Sequence, residues 1–180
     1  MARCLEISAH VALFAMHEVT YAQVVEVVKG TQSSYFKLTL VAGPEGAGKR
    51  KLLQRISAEL NFPLINLSLH LSQRLLDKTY RQRTLKAEET ALELIDDHLV
   101  GGLCIDHTEL LCSSSLKLNP LVLLQEASRN RHLIASWNGT LDGGDLIFGE
   151  LGHPDYFRKK VQGHPVISVS PEKLHLHLTT

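Results

Sequence analysis

Apolar residues recur at helical spacing from about His10 to Val28, and Gly30-Thr31-Gln32-Ser33-Ser34 then supplies stop and turn chemistry, which predicts a first helix. Tyr35 to Ala42 (YFKLTLVA) is rich in β-forming residues and runs directly into Gly43, whereas KLLQRISAEL after Lys49 returns to a helical period. PLINLSLHL reads as a second strand. The segment from Ser72 to His98 reads as helical with a break near Thr84, closed by Gly101-Gly102. A short apolar run, Leu103-Cys104-Ile105, then ends on Asp106. Pro120, suited to a first helical turn, opens a helix to about Arg129, and His132 to Trp137 forms another strand that stops at Asn138-Gly139. The glycine-rich stretch 141–152 shows no single period, HPDYFRKK suggests a short helix, and PVISV a last strand. Strands alternating with helices predict an α/β three-layer sandwich around a mostly parallel five-stranded sheet. In this division 1–34 is an N-terminal helical segment packed on the core, 35–170 the main domain and 171–180 a tail, one domain overall.

Composition narrows the function classes. The 180 residues are 44% hydrophobic, enough for a core, and 19 basic residues balance 19 acidic ones, so nucleic-acid or membrane binding needs a local patch. The run from Ile7 to Met16 is too short and too polar to span a bilayer. Three cysteines, Cys4, Cys104 and Cys112, lack the paired spacing of a zinc site and suit a reduced, cytoplasmic protein. His175 and His177 alternate with leucines, as on a strand face; such a pair can chelate metal, but no third ligand is in view.

The chemistry concentrates in Gly43-Pro44-Glu45-Gly46-Ala47-Gly48-Lys49-Arg50, which meets every fixed position of the phosphate-binding loop GxxxxGK[S/T] except the last. Glycines let successive amides turn inward, the next helix adds its positive end, and Lys49 supplies a mobile charge to the β and γ phosphates. A strand precedes and a helix follows, as the motif requires. Asp106, one crossover downstream at a strand's end, fits the carboxylate that binds Mg²⁺ directly or through water. The residue after it is His107 where a catalytic carboxylate usually stands; Glu109 is the nearest substitute, and His107 itself is a candidate neutral base. Asn138 sits where a polar side chain orients the attacking water, although Asn-Gly is also a common turn. Arg50 replaces the Mg²⁺-binding hydroxyl, so binding of nucleotide survives more readily than hydrolysis, and slow or partner-assisted turnover is expected. ATP is favoured mildly by the lack of a guanine-reading NKxD motif.

Two sets of basic residues remain. Arg74, Lys78 and Arg81 fall at i, i+4 and i+7 with Arg83 close by, a stripe that would grip DNA phosphates if the segment is one helix, though many such faces are merely solvated. Arg129 and Arg131 flank a helix end and are candidates for fingers reaching a neighbouring subunit's nucleotide.

GPEGAGKR, NLSLHLSQRLLDKTYRQR, LCIDHTELL, SLKLNPLVLLQEASRNRHLIASWNG and the closing GHPDY together resemble the BrxF family, small P-loop proteins of the type 3 BREX phage-resistance systems of bacteria, over roughly Leu38 to Tyr156. More distantly the chain is similar to AAA+ and related ASCE nucleotide-binding cores. The resemblance implies ATP and Mg²⁺ as cofactors, other BREX proteins as partners and an effect on phage DNA. It carries over Lys49, Asp106 and Asn138 as the lysine, the metal-site aspartate and the sensor position. A homo-oligomer without a helical lid is expected. A competing reading is a non-enzymatic DNA-binding or assembly module with a degenerate loop, and a small-molecule kinase is a more remote one.

Overall fold

A computed structural model describes residues 16–98, 101–170 and 173–178. In chain order these form β1 (Met16–Glu18), α1 (Tyr21–Gly30), β2 (Leu38–Gly43), α2 (Lys49–Leu60), β3 (Leu64–Asn66), α3 (Leu67–Leu75) and α4 (Tyr80–Asp96). They continue with β4 (Gly102–Asp106), α5 (Pro120–Ala127), β5 (His132–Asn138), β6 (Thr140–Asp142), β7 (Asp145–Phe148), β8 (Phe157–Lys160), β9 (Pro165–Val169) and β10 (Leu174–Leu178).

The architecture is mixed α/β with a mostly parallel central sheet. Seven strands lie in the order β1-β10-β9-β2-β5-β4-β3, so the sheet is wider than the five strands expected. The five strands from β9 to β3 run parallel, and β10 and β1 add to one edge in antiparallel register. The segment set apart as a C-terminal tail therefore contributes a strand: Leu176 is buried in the core that α1 and α2 share with the sheet, while His177 Nε2 lies 3.0 Å from Ser168 Oγ on β9.

Burial explains the layering. Every residue of β2 is buried, as expected for a strand with helices on both faces. Alternate positions serve opposite cores: Leu38, Leu40 and Ala42 face α3, α4 and α5, whereas Val41 joins Val24, Val28, Leu53 and Ile56 from α1 and α2. Cys104 and Cys112 are free and buried, and burial pushes both thiols up to about 12. Cys4 lies outside the described residues.

Four local readings need correction. The expected N-terminal helix begins only at Tyr21, where Thr20 and Gln23 form a capping box; residues 16–18 are strand, and 10–15 lie outside the described residues. PLINLSLHL is strand only through Asn66, whose side chain accepts from Leu69 N at 2.9 Å and starts α3 in the middle of the run. The helical break falls at 76–79, with Thr79 and Gln82 capping α4, rather than near Thr84. HPDYFRKK holds no helix; its second half is β8, the outer strand of a separate sheet in the order β6-β7-β8.

That small sheet covers the end of β5. Trp137 is 1% exposed, its indole N–H donates to Ile147 O at 2.9 Å, and its ring lies 5.4 Å from that of Phe157 and 6.1 Å from that of Phe148. Replacing Trp137 with Phe leaves the Ile147 carbonyl without its donor beside a partly emptied space. The Trp137→Phe variant is expected to lose about 1–3 kcal/mol of stability, measured by urea unfolding followed by circular dichroism, since it has no other tryptophan.

Candidate functional site

The loop between β2 and α2 is shaped by its glycines. A Cβ on Gly43 would stand 2.6 Å from Val169 O on the neighbouring strand, so any side chain there forces β9 away. Gly48 has φ +101°, a conformation open to glycine, and it turns the chain so that α2 starts at Lys49. The first amides of α2 lack intrahelical partners, and Gly48, Lys49, Arg50 and Lys51 at that helix start line a cleft, a placement that favours an anion there.

Lys49 is 6% exposed, and its ammonium donates to Gly43 O at 2.8 Å and Pro44 O at 2.7 Å. An ammonium has three protons, so one stays available for a phosphate oxygen. Burial lowers the Lys49 pKa, a shift opposed by Asp106, Glu109 and Glu45. Those carboxylates keep a cation favourable where desolvation alone would disfavour it.

Parallel pairing brings the other elements to the same edge. Gly43 pairs in register with Asn138, and Asn66 with Asp106, so the ends of β2, β5, β4 and β3 converge. The resulting cleft of about 660 Å³ is lined by Glu45, Gly46, Gly48, Lys49, Arg50, Lys51 and Gln54 from the loop and α2, and by Asp106, His107, Glu109 and Asn138 from the ends of β4 and β5 and the turn after β4. Asp106, Glu109 and Asn138 are thus brought together with the loop. The Asn138 amide donates to Glu109 Oε1, and His107 Nδ1 lies 3.5 Å from the same carboxylate oxygen.

Sequence reasoning missed the supports of this cluster. His107 has φ +57°, unusual for a residue other than glycine, and its N–H is held by Asp106 Oδ1 at 3.0 Å and Ser136 Oγ at 3.1 Å. Ser68, at the start of α3, donates to His107 O at 2.6 Å and accepts from Leu110 N at 3.1 Å. Thr108 Oγ1 donates to Ser136 O at 2.6 Å. A lone serine in a run such as NLSLHL carries no local signal; only the meeting of α3 with the loop after β4 gives it a task.

Arg50 points across the cleft, its Nη1 3.5 Å from Asp106 Oδ2. The arginine side chain is 61% exposed, so the pair contributes at most about 1 kcal/mol and matters for its position more than its strength. Mg²⁺ requires oxygen ligands in near-octahedral geometry. Position 50 offers none, and its guanidinium faces Asp106, the carboxylate that would take part in holding the ion. These residues do not fit an ion held as the motif ordinarily holds it.

The remaining basic candidates lie elsewhere. Arg129 and Arg131 precede β5, whereas Asn138 ends it, about 20 Å away at 3.3 Å per residue. Arg131 donates to Ile95 O at 2.9 Å and pairs with Asp96, so it caps α4 rather than reaching phosphate. Arg129 lies 5.8 Å from the ring centres of Tyr35 and Phe36. The expected stripe is divided between two helices: Arg74 is on α3 and pairs with Asp97 at 2.9 Å, Lys78 is in the connection, and Arg81 and Arg83 are on α4. Arg83 donates to Lys78 O and Leu76 O, both at 2.8 Å, which ties the end of α3 to α4. The four residues therefore do not share the one helix that the spacing suggested. No group of three or more His, Cys, Asp or Glu among the described residues is placed to hold a metal, and no helix among them is long and apolar enough to cross a membrane.

No family model matches the chain, and no curated protein matches it. Among solved structures, that of C. elegans PCH-2 is similar at a TM-score of 0.36 and 20% identity, over 68% of this chain. The chain spans 37% of the length of that structure. So distant a likeness transfers no residue roles.

Removing the Ser68 hydroxyl takes a donor from His107 O and an acceptor from Leu110 N. The Ser68→Ala variant is expected to lose about 1 kcal/mol, read as a lower midpoint in chemical denaturation with an unchanged slope.

Proposed function

We propose that this chain is a nucleoside-triphosphate-binding P-loop protein whose ATP turnover is slow on its own. The observation that carries the reading is the buried Lys49 ammonium braced on Gly43 O and Pro44 O beneath an open cleft. A cation is costly to bury and is retained where an anion will meet it. Turnover is slow because the carboxylate that would polarise water, Glu109, is engaged by Asn138 and faces His107, and because Arg50 replaces the hydroxyl of the motif.

The resemblance to the small P-loop proteins of BREX supports a role in bacterial phage defence, with other BREX proteins as partners and phage DNA as the eventual target. In that role a second copy of the chain or a larger partner supplies what the cleft lacks at the γ-phosphate. The exposed Arg129, and Arg81 on α4, are then residues for contacts between molecules, not for chemistry within one.

Equilibrium titration with a fluorescent ATP analogue tests the reading. Wild type is expected to bind, and Lys49→Ala to bind at least about tenfold more weakly, because a charge-assisted bond to phosphate is lost. Equal affinities in the two proteins, or binding in neither, would remove it.

A further inference from the structure

The position that departs from the phosphate-loop motif is also the one that touches Asp106. In a metal-dependent site, the residue after the lysine supplies an oxygen to Mg²⁺ and the strand-end aspartate supplies or orients another. Here Arg50 withdraws the first oxygen and sets a fixed positive charge 3.5 Å from Asp106 Oδ2. An incoming Mg²⁺ would have to displace that guanidinium and then remain beside it, a like-charge contact in a partly enclosed cleft.

We infer that Arg50 takes the place of the metal ion, so that this site binds metal-free nucleotide, with the guanidinium bridging Asp106 and the terminal phosphates. The inference rests on the nucleotide-binding reading above and specifies the form of the ligand. Three features of the cleft carry it. Arg50 sits in the first turn of α2, directly after Lys49, and both residues line the same cleft. Its planar fork matches two phosphate oxygens at once, which a lysine does not. Its contact with Asp106 is long and its side chain is 61% exposed, so the guanidinium reaches a phosphate by a side-chain rotation alone. Lys51 also lines the cleft, which brings its cations to Lys49, Arg50 and Lys51 against the carboxylates of Glu45, Asp106 and Glu109.

The test is titration of the full chain with a fluorescent ATP analogue in excess EDTA and again in millimolar MgCl₂. Wild type is expected to bind in EDTA with an affinity equal to or greater than that in Mg²⁺. Arg50→Thr, which restores the motif's oxygen, is expected to reverse the preference and to gain about tenfold or more from Mg²⁺. Arg50→Ala, a truncation at a side chain that is 61% exposed, keeps the test decisive should Arg50→Thr fail to fold: without the guanidinium, affinity in EDTA is expected to fall about tenfold or more. Binding by wild type only when Mg²⁺ is present overturns this inference and leaves the nucleotide reading standing, as does an affinity in EDTA that Arg50→Ala leaves unchanged. Absence of binding in both buffers overturns the nucleotide reading and this inference with it.

Discussion

The Lys49 ammonium, buried beneath the turn from β2 to α2, donates to the carbonyls of Gly43 and Pro44, and those two bonds tie the end of the central strand to the first turn of its helix. Much else follows from that tie. Val169 O crowds position 43, so the strand must end in glycine for β9 to pair beside it. The backbone must reverse at Gly48 for Lys49 to turn under the loop. The three carboxylates facing the cleft offset part of the burial of the lysine's charge, which on balance lowers its pKa.

On the opposite wall, one unusual backbone residue is held by many partners. His107 adopts a left-handed conformation because its N–H is claimed by Asp106 and Ser136 and its carbonyl by Ser68. That bend carries the chain from the end of β4 into the turn bearing Glu109 and sets the carboxylate against Asn138. Positions that look unrelated in the chain, 68, 107 and 136, thus form one support for the acidic wall, which the exposed Arg50 side chain faces.

Much of this was legible in the sequence because the central strands carry their own signals. β2, β4 and β5 are apolar runs that end in Gly43, Asp106 and Asn138, and parallel pairing alone brings those ends together. Elements whose identity depends on neighbours were less visible. Leu174–Leu178 alternates in the manner of a strand, but it is the partnership with β9 and β1 that makes it one. The hairpins of 140–160 are rich in glycine and charge and gain order by packing on Trp137. Two helix starts were missed: Asn66 caps α3 inside an apolar run that reads as strand, and Thr79 with Gln82 caps α4 inside a segment that reads as helix up to Thr84. The role of Arg83 was hidden for another reason: charge spacing reports which residues share a helix face only when the helix is unbroken.

The margins of the two sheets limit how copies of this chain can meet. β3, at one margin of the main sheet, is three residues long and passes at once into α3. β8, at the margin of the small sheet, presents the exposed Lys159 and Lys160 after Arg158, which pairs with Asp145 at 2.7 Å. A foreign strand approaching either finds too few amides to pair with or a row of repelling cations, the usual protections against fibrous assembly. Strand addition at these two rims is therefore disfavoured.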